Sequence, residues 1–224
     1  MPRRDRLARR LDYGQPTRVP STRSEQNRIW AVSLGTLEKE RLIMNVLNTP
    51  LADALIFVPK VHGDHRGFFF ESFNQRSFEK HVGASISFVQ DNHSQSSRGV
   101  IRGLHYQIRQ AQGKLVRVVK GEVFDVAVDL RRSSRTFGKW FGTILSDENK
   151  HQFWIPPGFA HGFQVLSDSA EFLYKTTDYW APEYERSVLW NDPQIGIQWP
   201  IMDDIILSEK DGMAPPLATA DIFS

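Results

Sequence analysis

From Met44 onward the chain is a succession of short β-prone segments closed by turn signals. That succession leaves room for little but an all-β architecture. Strands are predicted over Leu55–Val61, Phe68–Phe73, Ser87–Gln90, Val100–Gln107, Leu115–Val119, Glu122–Leu130, Trp140–Leu145, Gln152–Ile155, Gly162–Leu166 and Glu171–Thr177. One helix interrupts them: Asn74 is placed to cap Gln75–His81 and Gly83 to stop it. Lys120-Gly121 predicts a hairpin turn between Leu115–Val119 and Glu122–Leu130, and Asp147-Glu148-Asn149 marks another turn. In Glu122–Leu130, Val123, Asp125, Ala127 and Asp129 share one face, and Phe124, Val126, Val128 and Leu130 the other. This alternation predicts a half-buried antiparallel strand. After Thr177 the pattern loosens into Pro- and Trp-rich coil with short helical turns near the C-terminus. The fold class is therefore all-β and mainly antiparallel, a sandwich or jelly-roll barrel with a few short helices.

Charge divides the chain at the same place. Residues 1–43 carry ten Lys/Arg against five Asp/Glu, which leaves 18 basic and 21 acidic residues of the total 28 and 26 for the remainder. The β-rich part is mildly acidic, which weakens a nucleic-acid role, since that role needs a basic folded face. Residues 1–43 read as a disordered arm for an acidic partner, a targeting segment, or sequence upstream of a start at Met44. The last is favoured because strand patterning begins just after Met44, and Asp5, Asp12, Glu25, Glu38 and Glu40 argue against a transit peptide. There is no cysteine, so disulfides, thiolate zinc and Cys nucleophiles are excluded. No apolar run approaches the roughly 18 residues of a membrane span, and a secretory signal core is lacking, so a cytoplasmic protein without membrane attachment is expected.

Several polar residues could carry chemistry. Arg98–Gln107 places His105 and Arg102 on one strand at an odd spacing that would turn them to opposite faces, but Gly103 leaves room for a bulge that realigns them. A base beside a fixed positive charge suits proton removal next to a carbonyl, although a lone strand histidine is also a common core or surface residue. Arg66 and Glu71 flank Phe68-Phe69-Phe70 as an exposed pair, or Arg66 forks onto a phosphate. Gln90-Asp91-Asn92-His93-Ser94 is a polar strand end, with Gln90 and Asn92 facing either solvent or a base or sugar edge. Ile155-Pro156-Pro157-Gly158-Phe159-Ala160-His161 is a stiffened turn that delivers His161 at the start of a strand. With His105 it suggests the cupin jelly roll, but Gln107 stands where a metal-binding cupin has its second histidine, so no metal is expected. Lys114 would join Arg102 and His161 in a positive lining for phosphate or a developing enolate oxygen. Tyr174 is either a core aromatic or a proton donor, and Asp211 is either part of a surface charge run or folded back on His105.

Taken together, these motifs resemble one family across about Met44 to Leu217. They are Gly63–Ser72, Phe88–Ser94, Arg102–Gln107, Gly113–Arg117, Gly121–Asp129, Pro157–Phe163 and Ser208–Asp211. The chain is similar to the dTDP-4-dehydrorhamnose 3,5-epimerases, metal-independent cupin enzymes of dTDP-L-rhamnose synthesis. The resemblance implies a cupin jelly roll over 44–224, with His105 as base, Asp211 as its dyad partner, Tyr174 as acid and Lys114 beside the enolate. It implies nucleotide and sugar contacts at Arg66, Glu71, Gln90, Asp91, Asn92, Arg102, Lys114, His161, Glu185 and Lys210. Trp180 falls where the thymine-stacking aromatic stands, and stacking tolerates tryptophan there. A dTDP-sugar substrate, no cofactor and a homodimer follow from the same resemblance. The rival expectations are a single-carbon or different-nucleotide epimerase, a catalytically silent sugar-nucleotide-binding cupin, and a metal-dependent oxygenase cupin.

Overall fold

The computed structural model describes residues 44–224, so the expectations for residues 1–43 lie outside the described residues. Among the described residues there are thirteen strands: β1 (Met44–Asn48), β2 (Leu55–Pro59), β3 (His62–Asp64), β4 (Gly67–Phe69), β5 (Gln90–Ser97), β6 (Ile101–Gln107), β7 (Lys114–Lys120), β8 (Glu122–Asp129), β9 (Trp140–Ser146), β10 (Gln152–Ile155), β11 (Phe159–Val165), β12 (Ser169–Thr176) and β13 (Glu185–Ser187). They form a six-stranded sheet, β1-β2-β10-β7-β12-β5, a five-stranded sheet, β13-β6-β11-β8-β9, and the separate hairpin β3-β4. Every paired strand is antiparallel to its neighbours. This is the cupin-like jelly roll, with the helices α1 (Gln75–Val82) and α2 (Glu209–Gly212) and a 3-10 turn at Pro182–Tyr184.

Three apolar clusters hold the layers. Between the sheets, Val116, Val118 and Phe172 of one meet Val123, Ala127, Phe163 and Val165 of the other. Outside the five-stranded sheet, Ile101, Leu104, Val126 and Val128 are covered by Val188, Trp190, Ile197 and Trp199 of the C-terminal coil. Outside the six-stranded sheet, Phe57, Leu115 and Trp154 receive Phe78 of α1. That helix forms as expected: Asn74 accepts the Ser77 N–H, and Gly83 adopts a left-handed φ of 76°.

Four expectations are corrected. Lys120-Gly121 is a turn but not a hairpin: β7 and β8 lie in different sheets, and Gly121, at φ 76°, carries the chain across. β8 is buried on both faces: the more polar side, with Val123, Asp125 and Ala127, closes on the barrel interior, and the C-terminal coil covers Val126 and Val128 on the other. The strand expected at Ser87–Gln90 runs instead through Gln90–Ser97, and Phe88 packs against the outer cluster. The strand expected at Phe68–Phe73 is only Gly67–Phe69, and Phe73 turns inward onto Phe78.

Candidate active site

The site begins with an irregularity in β6. Against β11, His105 pairs with His161 but Arg102 pairs with Phe163, so three steps on β6 face two on β11. Gly103 makes this possible. Its φ is 128°, and a Cβ there would lie 2.6 Å from Gly162 Cα, so the two strands touch backbone to backbone. Arg102 and His105 consequently line one cavity, together with Ser208, Lys210 and Asp211.

Asp211 sits on α2, whose first turn is capped by Ser208 Oγ accepting the Asp211 N–H at 3.2 Å. Its buried carboxylate meets His105 Nε2 at 2.5 Å, which leaves Nδ1 to take a proton. Burial alone would raise the Asp211 pKa, but the hydrogen bond and charge of His105, helped by Ser208 and the Gly103 N–H, hold it below the ordinary carboxylate value. The result is an anionic carboxylate that orients the imidazole.

Lys114 opens β7 and is buried, its Nζ donating to the His105 carbonyl oxygen at 3.3 Å. Burial lowers its pKa to about 8, against the opposing pull of Asp125 and Glu185. His161 donates or accepts through Nε2 to Asp125 at 2.9 Å and stacks on Phe172. Burial pushes the His161 pKa down and the Asp125 pKa up, so each leans toward its neutral form. The expected positive lining is thereby corrected: a buried carboxylate sits within it. His161 is the third residue of β11, whose start at Phe159 lies three residues before the expected Gly162.

Tyr174 comes from the facing sheet, on the inward row of β12 with Phe172, opposite Asn92 of β5 and Val116 of β7. Burial, then the charge of Glu185, raises its pKa against the effect of Arg102, keeping the phenol protonated. Gln90 donates to Asn92 Oδ1 at 2.9 Å, and the Asn92 amide nitrogen is buried without a partner. Arg102 donates through Nε to Ser96 Oγ at 2.9 Å, and Lys210 pairs with Glu185 at 2.8 Å. Trp180 is 59% exposed, its backbone N–H bonded to Gln90 Oε1.

Three residues singled out in the sequence stand apart from this cluster. Asp91 lies on the outward row of β5, paired with Lys175 at 2.7 Å. Arg66 is paired with Asp64 on the β3-β4 hairpin, which lines its own hollow with Phe68 and Phe69. Glu71 accepts from Asn74 through Oε2, while its Oε1 is buried without a partner. Asp125 was the residue missed. In sequence a carboxylate between Val123 and Ala127 reads as the polar side of a half-exposed strand; in the structure that face closes on the barrel interior. Among the described residues no group of three or more His, Cys, Asp and Glu is arranged to hold a metal ion.

A model of the dTDP-4-dehydrorhamnose 3,5-epimerase family matches residues 48–219. The chain belongs to this family. It is thus an isomerase, an epimerase acting on carbohydrates. A dTDP-4-dehydrorhamnose 3,5-epimerase of Pseudomonas aeruginosa is 64% identical over 180 residues, 80% of this chain and 99% of the relative. The crystal structure of a dTDP-6-deoxy-D-glucose-3,5-epimerase from Legionella pneumophila, in complex with dTDP-4-keto-L-rhamnose, superposes with a TM-score of 0.78. It is 56% identical and covers 80% of this chain and 95% of its own. A 3′-monoepimerase from Streptomyces bikiniensis, in complex with dTDP-quinovose, superposes at 0.72 with 37% identity, over 76% of this chain and 87% of its own. Within the epimerase family frame, His105 lies on the five-stranded sheet with Asp211 against it, while Lys114 on β7 and Tyr174 on β12 come from the six-stranded sheet, Lys114 reaching across to the His105 carbonyl.

Proposed function

We propose that this chain inverts C3 and C5 of dTDP-4-dehydro-6-deoxy-D-glucose to give dTDP-4-dehydro-L-rhamnose, a step of dTDP-L-rhamnose synthesis. The observation that carries the reading is His105 held by the buried Asp211 carboxylate at 2.5 Å, with Lys114 at its carbonyl and Tyr174 on the facing sheet. The C4 carbonyl of the sugar acidifies the hydrogens at C3 and C5, because the electron pair left by each proton delocalises onto O4 as an enolate. His105 removes each proton in turn through Nδ1, and Asp211 stabilises the imidazolium that results. Lys114, protonated below about pH 8, offsets the charge growing on O4. Tyr174 returns a proton to the opposite face of the carbon, inverting it. At each centre one C–H bond breaks and one forms with no net transfer of electrons, so the chemistry calls for neither metal nor redox cofactor.

Binding falls to the remaining polar residues. Arg102, His161, Gln90, Asn92, Glu185 and Lys210 take sugar and diphosphate, and Trp180 stacks on thymine. A cytoplasmic homodimer belongs to the same reading. The β3-β4 hairpin supports it, since it presents Phe68 and Phe69 at 61% and 73% exposure beside Arg66, the proposed phosphate fork. A single-carbon epimerase is the second reading, favoured by the likeness to the 3′-monoepimerase.

Turnover of dTDP-4-dehydro-6-deoxy-D-glucose in D₂O tests the assignment. The wild type is expected to introduce deuterium at C3 and C5, and His105→Ala at neither. Tyr174→Phe is expected to keep exchange at the acidic carbons while inverted product falls by about 10²-fold or more. Labelling by His105→Ala at the wild-type rate would overturn the base, and label at C3 alone in the wild type would favour the monoepimerase.

A further inference from the structure

Gln107 closes β6 at the position where a metal-binding cupin would present its second histidine, and it is buried. Its carboxamide makes three hydrogen bonds, all to backbone. Nε2 donates to the Gln110 carbonyl at 2.8 Å and to the Tyr179 carbonyl at 3.2 Å, and Oε1 accepts the buried Ala181 N–H at 2.9 Å. The residue skipped between those two anchor points is Trp180. Two other glutamines grip the same segment. Gln90 Oε1 accepts the Trp180 N–H at 2.9 Å, and Gln112 Nε2 donates to the Asp178 carbonyl at 2.9 Å.

Packing does little to hold this segment, because Tyr179 and Trp180 are 61% and 59% exposed. An exposed indole on a loop would sample many orientations, and ordering it on binding would cost affinity. A buried amide bonded on both sides of the indole removes that freedom beforehand. Gln107 is the one of the three whose two ends bracket the tryptophan.

We propose that Gln107 is a positioning residue which fixes the Tyr179–Trp180–Ala181 turn so that Trp180 stands ready as a platform for the nucleobase of the sugar nucleotide. It acts on nucleotide affinity and leaves proton transfer alone. The inference rests on the stacking role proposed above for Trp180. Loss of the bracket frees the indole and leaves the Ala181 N–H buried without an acceptor, a penalty felt at the base subsite.

Calorimetric titration with dTDP alone, alongside steady-state kinetics with the dTDP-sugar, tests it on Gln107→Leu, Gln107→Glu and Trp180→Ala. Gln107→Leu is expected to weaken dTDP binding and raise KM by about tenfold, with kcat and its pH profile within twofold of wild type. Gln107→Glu keeps the acceptor for Ala181 but sets a carboxylate oxygen against the Gln110 and Tyr179 carbonyls, so it too is expected to weaken dTDP binding; it carries the test if the leucine variant does not fold. Unchanged dTDP affinity in a folded Gln107→Leu, or a fall in kcat with KM unchanged, would overturn the proposal. Weakened binding in Trp180→Ala with none in the Gln107 variants overturns the positioning role alone, whereas no loss in any of the three overturns the stacking role with it.

Discussion

Lys114 carries its charge where charge is costly. Its pKa of about 8 in the folded chain stands well below the 10.5 of a free lysine, chiefly because it is buried. Below about pH 8 both folded and unfolded chains hold the proton, and the full cost of the buried ammonium is present. Between about 8 and 10.5 the folded chain releases the proton and the unfolded one keeps it, so stability rises with pH across that window. A gap of this size corresponds to about 3 kcal/mol. Lys114→Met is therefore expected to stabilise the protein at pH 7 by roughly 1–3 kcal/mol, the lower figure reflecting the charge partner Asp125 would lose. The same variant should lower kcat about 10²-fold or more. Urea unfolding at pH 7 and pH 10, with a pH–rate profile, checks both: the wild-type rate should fall through about pH 8, and a variant less stable at pH 7 would contradict the account. The residue types at the site were legible as separate motifs. That His105 and Asp211 touch, 106 positions apart, was a suggestion the fold had to bear out. Asp125 was not legible, because a carboxylate between apolar neighbours reads as the polar face of a half-exposed strand.

Gly103 shows what an element contributes. Its φ of 128° and its contact with Gly162 set the bulge that turns Arg102 and His105 to one cavity. Gly103→Ala is expected to cost more than about 2 kcal/mol, from the disfavoured backbone angle and the collision with β11. It should also depress kcat further than the loss of stability explains. Thermal unfolding with kinetics well below the melting temperature separates the two, and a variant of native stability would show that β6 and β11 need no such close approach. Here the sequence was informative, since a glycine between two candidate residues at an odd spacing already suggested the bulge. At β5 it was not. Its more buried row is Gln90, Asn92, Ser94 and Ser96, all polar, so the strand lacks the apolar alternation that marks a sheet packed on a core. The Lys120-Gly121 turn misled for a related reason: a glycine turn between two strands looks the same whether the strands pair or part into separate sheets.

At the scale of the molecule, the family model begins at residue 48, and the Pseudomonas relative is matched almost end to end by 80% of this chain. A chain beginning at Met44 is accordingly expected to keep kcat and KM within about twofold of the full-length protein and to sediment as a dimer. A loss of activity beyond tenfold would give residues 1–43 a part in catalysis, and a monomer would remove the hairpin's proposed role. No helix among the described residues is long and apolar enough to cross a membrane. The sequence by itself determined the all-β class, the helix capped by Asn74 and the chemical types at the site, because periodicity, caps and motifs act over a few residues. Only the tertiary structure decided which strands share a sheet, that the C-terminal coil buries the outer face of β8, and that Asp125 enters the barrel. It also decided that Gln107 turns its amide to the backbone around Trp180. Those outcomes depend on contacts between residues far apart in the chain, and local sequence holds no record of what will cover a face or fill a cavity.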